Sequence, residues 1–573
     1  MSLMPLNENM SAGVIARFLK ARGVDRIFAL CGGHIMPIWM RVDAEGIRIV
    51  DVRDERAAVY MAHAYSELTG KLGVALVTAG PGVTNAMTGI ANAHVARASI
   101  LVLSGLPPRQ QENRGALQDI VHTDLVKSIT RYARTVRQSS LVLSELDEAV
   151  SRAMGAGGEP GPVYLDFPTD VLREEVPKVI QMEEHFRAKI VRPVLPYEDD
   201  VAAAIEVLWN AKKPLVISGR GARGADKELC QFLDKLGGVY LDTGESKGLV
   251  PDSHPSVVAA MRGKVMGDAD VIVTLGRRLD FQLAYGSPAV FGAAKFIRIG
   301  EIPTEVRDNR RGDIEINANP GKTLAAINRL VGNRESCVDR GWAKSLRTKH
   351  EERAQRLSES MAAAPSDDQG RIHPNRVLSE LQRCIKDDAV VVADGGDFLA
   401  FARIGLNAKN YLDPGSLGCI GIGTSFGIAA SLACPEKDVV VATGDGAFGF
   451  NAMEIDTAVR HNAPVLIVVA NNGAWQIEVH DQADTHGKVV GTKLQVSDYA
   501  QMAESFGMYA ERVSNADELG GAFDRAMKNR PALLDVIVSP EAKSSDAKTG
   551  LAWVPDLQAL AAWDDAERAW RQD

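Results

Sequence analysis

Apolar positions in this chain fall into three stretches where short β-branched runs alternate with helical spacing. That is the pattern of parallel strands joined by crossover helices. The first stretch, about 11–177, holds strand-like runs at 26–30, 47–52, 74–78 and 100–104 and a helical segment at 55–68. A proline-bearing link, Arg192-Pro193-Val194-Leu195-Pro196, leads into the second, with strand runs at 214–218, 238–241, 271–275 and 295–299. A polar helical region at 340–360 and a loop at 364–373 precede the third, whose strand runs lie at 389–393, 439–443, 465–470 and 533–538. The predicted fold class is therefore α/β: three doubly wound parallel-sheet domains, over 1–182, 196–335 and 372–540, with a C-terminal tail at 541–573.

Bulk properties narrow the partners. At 573 residues the chain exceeds one hydrophobic core, and 46% hydrophobic with 24% charged residues is a soluble globular composition. A net charge of −9 speaks against nucleic acid as the main partner. No apolar run is long enough to cross a bilayer, and Met1 to Ser11 lack the basic-then-apolar order of a secretory signal, so a cytoplasmic setting is expected. The six cysteines (Cys31, Cys230, Cys337, Cys384, Cys419 and Cys434) form no CxxC pair and are expected to be small buried hydrophobes in a reducing compartment.

The sharpest chemical signal begins at an apolar strand running into Gly444-Asp445-Gly446-Ala447. A helix-like segment at 453–461 and a second apolar strand follow, ending at Asn471-Asn472-Gly473. The 24 residues between the motifs (447–470) suit one crossover unit that returns the chain beside its start. Both motifs then lie at carboxyl ends of neighbouring parallel strands, where such sheets bind ligands. Glycines let backbone approach an anion, and Asp445 with the Asn472 amide oxygen are hard ligands suited to Mg²⁺ or Ca²⁺ bridging a diphosphate.

On these residues the chain resembles the thiamine-diphosphate-dependent enzymes of the acetolactate synthase and benzaldehyde lyase type. The resemblance implies that Asp445, Asn472 and the Ala474 carbonyl hold Mg²⁺, with Gly444, Gly446, Ala447, Trp475, Gly396 and Asp397 also around the cofactor. It extends to Asp51-Val52-Arg53-Asp54-Glu55-Arg56-Ala57-Ala58, similar to the family's RHE-x-x-A segment with Asp54 where His is usual. Glu55 would be the carboxylate that activates the cofactor through its aminopyrimidine. Thr78-Ala79-Gly80-Pro81-Gly82-Val83-Thr84-Asn85 matches the TxGPGxTN loop, which adds Thr78, Pro81 and Asn85 and marks the first domain as pyrimidine-binding. In the third domain, Gly418-Cys419-Ile420-Gly421 resembles the segment that shapes the cofactor, with the Gly418 carbonyl accepting from the 4′-amino group and Ile420 enforcing the bend. The family's active sites are shared across subunits, which implies a homodimer or homotetramer.

Substrate choice lies in fewer residues. His34, in Cys31-Gly32-Gly33-His34-Ile35, either caps a helix or polarises the substrate oxygen, as in benzaldehyde lyase and the 2-hydroxyacyl-CoA lyases. Gln118, in Asn113-Arg114-Gly115-Ala116-Leu117-Gln118, is a donor for the same oxygen, and this phrase is similar to the acetolactate-synthase-like hydroxyacyl-CoA lyases. Glu478, six residues beyond Asn472, is either a solvated helix charge or a proton shuttle. In the middle domain Gly300 stands where related enzymes carry an acidic residue for a nucleotide ribose, while Arg278 keeps the usual basic group. That departure argues against FAD or ADP there. The tail, with Lys543, Lys548, Trp553, Trp563, Arg568, Trp570 and Arg571, is either a surface helix or a flap over the site. The expectation is a lyase cleaving a 2-hydroxyacyl-CoA thioester. The alternatives are a carboligase on free acids or aldehydes and a non-catalytic cofactor-binding paralogue.

Overall fold

The structure is a computed structural model that describes residues 7–181, 183–188 and 191–544. Among these residues the chain forms three parallel sheets, each with helices on its faces. The first contains β1 (Arg26–Ala29), β2 (Arg48–Asp51), β3 (Gly73–Val77), β4 (Ile100–Leu106), β5 (Tyr132–Thr135) and β6 (Val163–Pro168), in the order β2-β1-β3-β4-β6-β5. The second contains β7 (Pro214–Ser218), β8 (Val239–Leu241), β9 (Val271–Leu275), β10 (Lys295–Gly300) and β11 (Ile314–Asn317), in the order β11-β10-β9-β7-β8. The third contains β12 (Val390–Asp394), β13 (Asn410–Leu412), β14 (Val439–Gly444), β15 (Val465–Asn471), β16 (Tyr509–Val513) and β17 (Ala532–Ile537), in the order β13-β12-β14-β15-β17-β16. The first and third sheets thus share one topology, each reversing direction beside its first strand. A crevice opens at such a reversal, outside the carboxyl ends of the strands.

The first and third domains are joined by helices buried on every side. Helix Glu55–Thr69 begins at Asp54, whose side chain accepts from Arg56 N, and ends at Gly70 in the left-handed conformation (φ 67°). Residues 57–66 of this helix are all buried, because it lies between its own sheet and helix Gly423–Ala433 of the third domain. Tyr60 and His63 meet the Phe426 ring at 6.3 and 5.0 Å, and a single apolar cluster runs from Phe28 to Leu533 through this contact. The crevices of the two domains are therefore held by one core.

Three expectations are corrected. Strands β5, β11, β13 and β16 were not among the predicted runs; they are short and carry polar residues, and β5, β11, β13 and β16 are edge strands. β6 is interior but holds Asp166 and ends in Pro168, which breaks the apolar run that marks a buried strand. None of the cysteines is fully buried: Cys31 and Cys337 are exposed and the other four partly so, with Cys230, Cys384 and Cys419 packed at the margins of the cores. Among the described residues no helix is long and apolar enough to cross a membrane.

Candidate active site

Strand β14 delivers Gly444 and the short helix Asp445–Phe448 to the crevice edge, and β15, paired with it in parallel, delivers Asn471. Asp445 is 2% exposed and its Oδ2 accepts from Gly473 N at 3.1 Å, so the two motifs meet as their spacing predicts. Burial pushes the Asp445 carboxyl up to about 6, opposed by the surrounding backbone N–H groups. A buried carboxylate with oxygen-rich neighbours and no cationic side chain is suited to a divalent cation completed by diphosphate oxygens and water. Asn472 Oδ1 accepts from Ala474 N at 3.2 Å, which closes the turn on which two of the three expected ligands, Asn472 and Ala474, lie. Gly446 is required to be glycine by contact: a Cβ there would lie 2.6 Å from the Trp475 ring.

The turn after β12 faces the same place. A Cβ on Gly395 would lie 3.5 Å from both Gly444 N and Ala447 Cβ, and one on Gly396 would meet Ile477 at 3.0 Å. Asp397, at the start of the next helix, is buried with Oδ1 lacking a partner, and burial pushes its carboxyl up to about 7. Asp394 was not predicted as a site residue. Its carboxylate accepts from Gly395 N, Gly421 N and Gly423 N at 2.7 to 3.1 Å and thereby fixes the loop carrying Gly418 and Ile420. Asn451 Nδ2 donates to Gly421 O at 2.7 Å from the other side. Gly418 is left-handed (φ 66°) and exposed, and Ile420 is half-buried.

The crevice of the first sheet gathers the pyrimidine-side residues. Glu55 is 7% exposed, and its Oε2 accepts from Asn85 Nδ2 at 3.0 Å. Pro81 is the first residue of helix Pro81–Ala96, and its N-cap Gly80 adopts φ 61°, ψ −112°, which only glycine takes readily. Thr78 packs on Gly32, where a Cβ would lie 2.4 Å away, and His34 packs on Gly105, where a Cβ would lie 2.7 Å from the His34 Cβ. The Gln118 side chain lies beside the His34 imidazole, whose buried Nδ1 has no hydrogen-bond partner among the described residues. Burial holds that imidazole below its usual range, the Gln118 side chain opposes this, and the nearby His122 adds to the lowering. His34 and Gln118, far apart in sequence, are thus brought together with Thr78 and Gly80.

Glu478 is placed apart from them, exposed in the first turn of helix Gln476–His486. The start of the tail docks on this helix: Gln476 Nε2 donates to Pro540 O at 2.7 Å, and Lys543 pairs with Asp484 at 2.6 Å. Lys548, Trp553, Trp563, Arg568, Trp570 and Arg571 lie outside the described residues. Asn471 braces the end of β15, its Nδ2 donating to Ser497 O and Asp535 Oδ1, both at 2.9 Å.

In the middle domain the crevice lies between β7 and β9, and its cations already face carboxylates. Arg97 pairs with Glu305, Arg220 and Arg223 with Glu67, Arg277 with Glu245 at 3.0 Å, and Arg278 with Glu159. Gly221 and Gly276 press backbone to backbone there, a Cβ on Gly276 lying 2.3 Å from the Gly221 Cα. A separate cleft of about 960 Å³ opens between the middle and third domains. Lys247, Arg262, Arg353, Arg383 and Arg403 line it, with Asp242, Asp252, Glu380 and Asp413 between them.

Two sheets of one topology, one crevice lined by glycine turns and a buried Asp, the other presenting a buried Glu, form an arrangement suited to a bipartite diphosphate cofactor held through a cation. Residues 11–127 match the N-terminal TPP binding domain of the thiamine pyrophosphate enzymes, 201–327 the central domain and 396–536 the C-terminal TPP binding domain. The chain belongs to this family. It is 30% identical to 2-hydroxyacyl-CoA lyase 2 of Caenorhabditis elegans, over 92% of this chain and 89% of that one. It is 33% identical to the acetolactate synthase large subunit IlvG of Mycobacterium tuberculosis, over 93% and 96%, and 30% identical to 2-hydroxyacyl-CoA lyase 1 of mouse, over 92% and 94%.

Proposed function

We propose that this thiamine-pyrophosphate-dependent enzyme is a carbon–carbon lyase that cleaves 2-hydroxyacyl-CoA to formyl-CoA and an aldehyde or ketone. The observation that carries the reading is the packing of His34 on Gly105 and of Gln118 on Gly80, which sets the two side chains beside each other in the pyrimidine-side crevice. Thiamine diphosphate, when bound, supplies the electron sink that lets the acyl carbon carry negative charge. Asp445, Asn472 and the Ala474 carbonyl would hold its Mg²⁺, and Glu55 would hold a proton at the aminopyrimidine. His34, kept neutral by burial, takes the proton of the substrate's 2-hydroxyl as the adjacent carbon–carbon bond breaks, while the Gln118 amide orients that oxygen. From its exposed place in the first turn of helix Gln476–His486, Glu478 would give a proton to the formyl carbon and regain one from solvent, as His34 releases its own to solvent, so atoms and protons balance over the cycle.

A CoA thioester rather than a free acid is the reading favoured by the similarity to 2-hydroxyacyl-CoA lyases. Exposed apolar side chains around Gln118, with Leu117 at 76% and Val121 at 62%, support a second copy covering the site in a homodimer or homotetramer. Purified protein supplied with thiamine diphosphate and Mg²⁺ is expected to release formyl-CoA from a 2-hydroxyacyl-CoA, measured by chromatography of CoA species. Absence of formyl-CoA from every chain length tested would sink the lyase reading. Rapid turnover of pyruvate without CoA would instead select a carboligase, the reading favoured by the acetolactate synthase relative.

The reading assigns no nucleotide to the middle domain, whose crevice arginines are neutralised by Glu67, Glu245, Glu305 and Glu159. The purified enzyme is accordingly expected to show no flavin absorbance and no rise in melting temperature with FAD or ADP. A stoichiometric nucleotide released on denaturation would contradict this.

A further inference from the structure

His122 opens the short helix His122–Val126 and is buried, yet the sequence gives no sign of what it does. Its Nε2 accepts from Gly80 N at 2.8 Å, and its Nδ1 lies 3.1 Å from Asp166 Oδ2. Tyr164 OH donates to the same Asp166 oxygen at 3.0 Å. The tautomer follows from the geometry: accepting from an amide N–H requires a lone pair on Nε2, so the proton sits on Nδ1 and is donated to Asp166. Asp166 is itself an interior group of β6, so the imidazole is fixed to the sheet.

Gly80 is the residue on which Gln118 rests. A Cβ on Gly80 would lie 2.8 Å from the Gln118 Cβ, and Gln118 holds a left-handed backbone (φ 62°) at that contact. Gln118 and His122 belong to one segment, so this segment is stitched to the Gly80 turn twice, by the Gln118 contact and by the His122 bond. Gln118 then lies beside His34, which is itself set by its packing on Gly105.

We propose that His122 is a positioning residue for the substrate-facing pair: anchored by Asp166, it grips the Gly80 amide and so sets where the Gln118 side chain meets His34. The inference rests on the assignment of His34 and Gln118 to substrate handling, and it adds a residue that touches neither substrate nor cofactor. Because it acts through Gln118, its loss moves the pair without touching Glu55 or the diphosphate turn. A displacement on the order of 1 Å at reacting groups costs about 100-fold in rate.

The test is a double-mutant cycle on the holoenzyme with His122→Phe and Gln118→Ala, with His122→Gln as the conservative variant. Turnover is followed with 2-hydroxyacyl-CoA, or with pyruvate if that is the substrate accepted. Exchange of the cofactor C2 hydrogen is followed by NMR. His122→Phe is expected to lower kcat/KM about 100-fold while C2 exchange stays within about threefold. In the Gln118→Ala background the same change is expected to cost less than about threefold. His122→Gln, whose Oε1 can accept from Gly80 N, is expected to recover most of the loss. Full additivity in the cycle, or loss of C2 exchange in step with turnover, overturns the proposal. If wild-type enzyme turns over neither substrate, the lyase reading has failed. The same cycle is then read on the His34 imidazole resonances, which His122→Phe must perturb only where Gln118 is present.

Discussion

Glu55→Gln is expected to lower kcat by about 100- to 10,000-fold while thiamine diphosphate stays bound. The carboxylate is nearly enclosed, and its recorded side-chain partner is Asn85 Nδ2 at 3.0 Å, which leaves Oε1 available to a ligand. Gly82 keeps that approach open, since a Cβ there would lie 3.5 Å from Oε1. Glutamine preserves the volume, and its amide oxygen can still accept from Asn85, so helix Glu55–Thr69 and its packing on Phe426 should survive. What is lost is a group that can hold a proton at the aminopyrimidine. The residues proposed to hold the diphosphate lie in another crevice, so affinity and rate are expected to separate. Steady-state turnover together with a fluorescence titration of the cofactor measures both. Unchanged kcat would remove Glu55 from the chemistry. A wild-type protein as inert as the variant would instead mark a paralogue that binds cofactor without using it.

The fold was legible where side chains repeat and obscure where a single polar contact decides. Strands β7 and β9 were read to the residue because each is an unbroken apolar run, Pro214–Ser218 and Val271–Leu275. The turn after β14 and the turn after β15 were read because one crossover unit fixes their distance, and the parallel pairing Gly444 with Ala470 follows from it. β6 escaped because its Asp166 looks wrong for a buried strand, and only the partners His122 and Tyr164 make it tolerable. Asp394 escaped for a related reason. A strand-end Asp is common, and two of its three backbone donors come from a loop 27 and 29 residues further on that no local pattern places beside it. The site residues carried by resemblance were legible as types, whereas the His34–Gln118 contact depends on the left-handed Gln118 and the Gly80 turn, which spacing does not encode. The shared topology of the first and third sheets was likewise hidden, since the two domains keep a common path with different side chains.

The second large effect is expected at the anchor. Asp445→Asn should abolish retention of thiamine diphosphate, weakening Mg²⁺-dependent binding by more than about 100-fold, and it should do so with the fold intact. Asp445 Oδ2 accepts from Gly473 N, and an asparagine oxygen can keep that bond, so the turn between β15 and helix Gln476–His486 holds its shape. Removing the side chain in Asp445→Ala goes further: the buried Gly473 N–H is left without its acceptor, which costs about 1–3 kcal/mol of stability on top of the lost ligand. The two variants thus part a charge effect from a structural one. Ligand-linked melting reads the difference, because saturating cofactor at about 100 times its dissociation constant stabilises the native state by about 2.7 kcal/mol. Wild type and Glu55→Gln should both rise in melting temperature when thiamine diphosphate and Mg²⁺ are added together. Asp445→Asn should start near the wild-type temperature and not rise. Should Asp445→Asn rise with the wild-type dependence on Mg²⁺, the cation is held elsewhere and the Asn472 and Ala474 assignments fall with Asp445. The opposite pattern, binding lost in one variant and turnover lost in the other, would show that anchoring and activation reside in separate crevices joined by the core around Phe426.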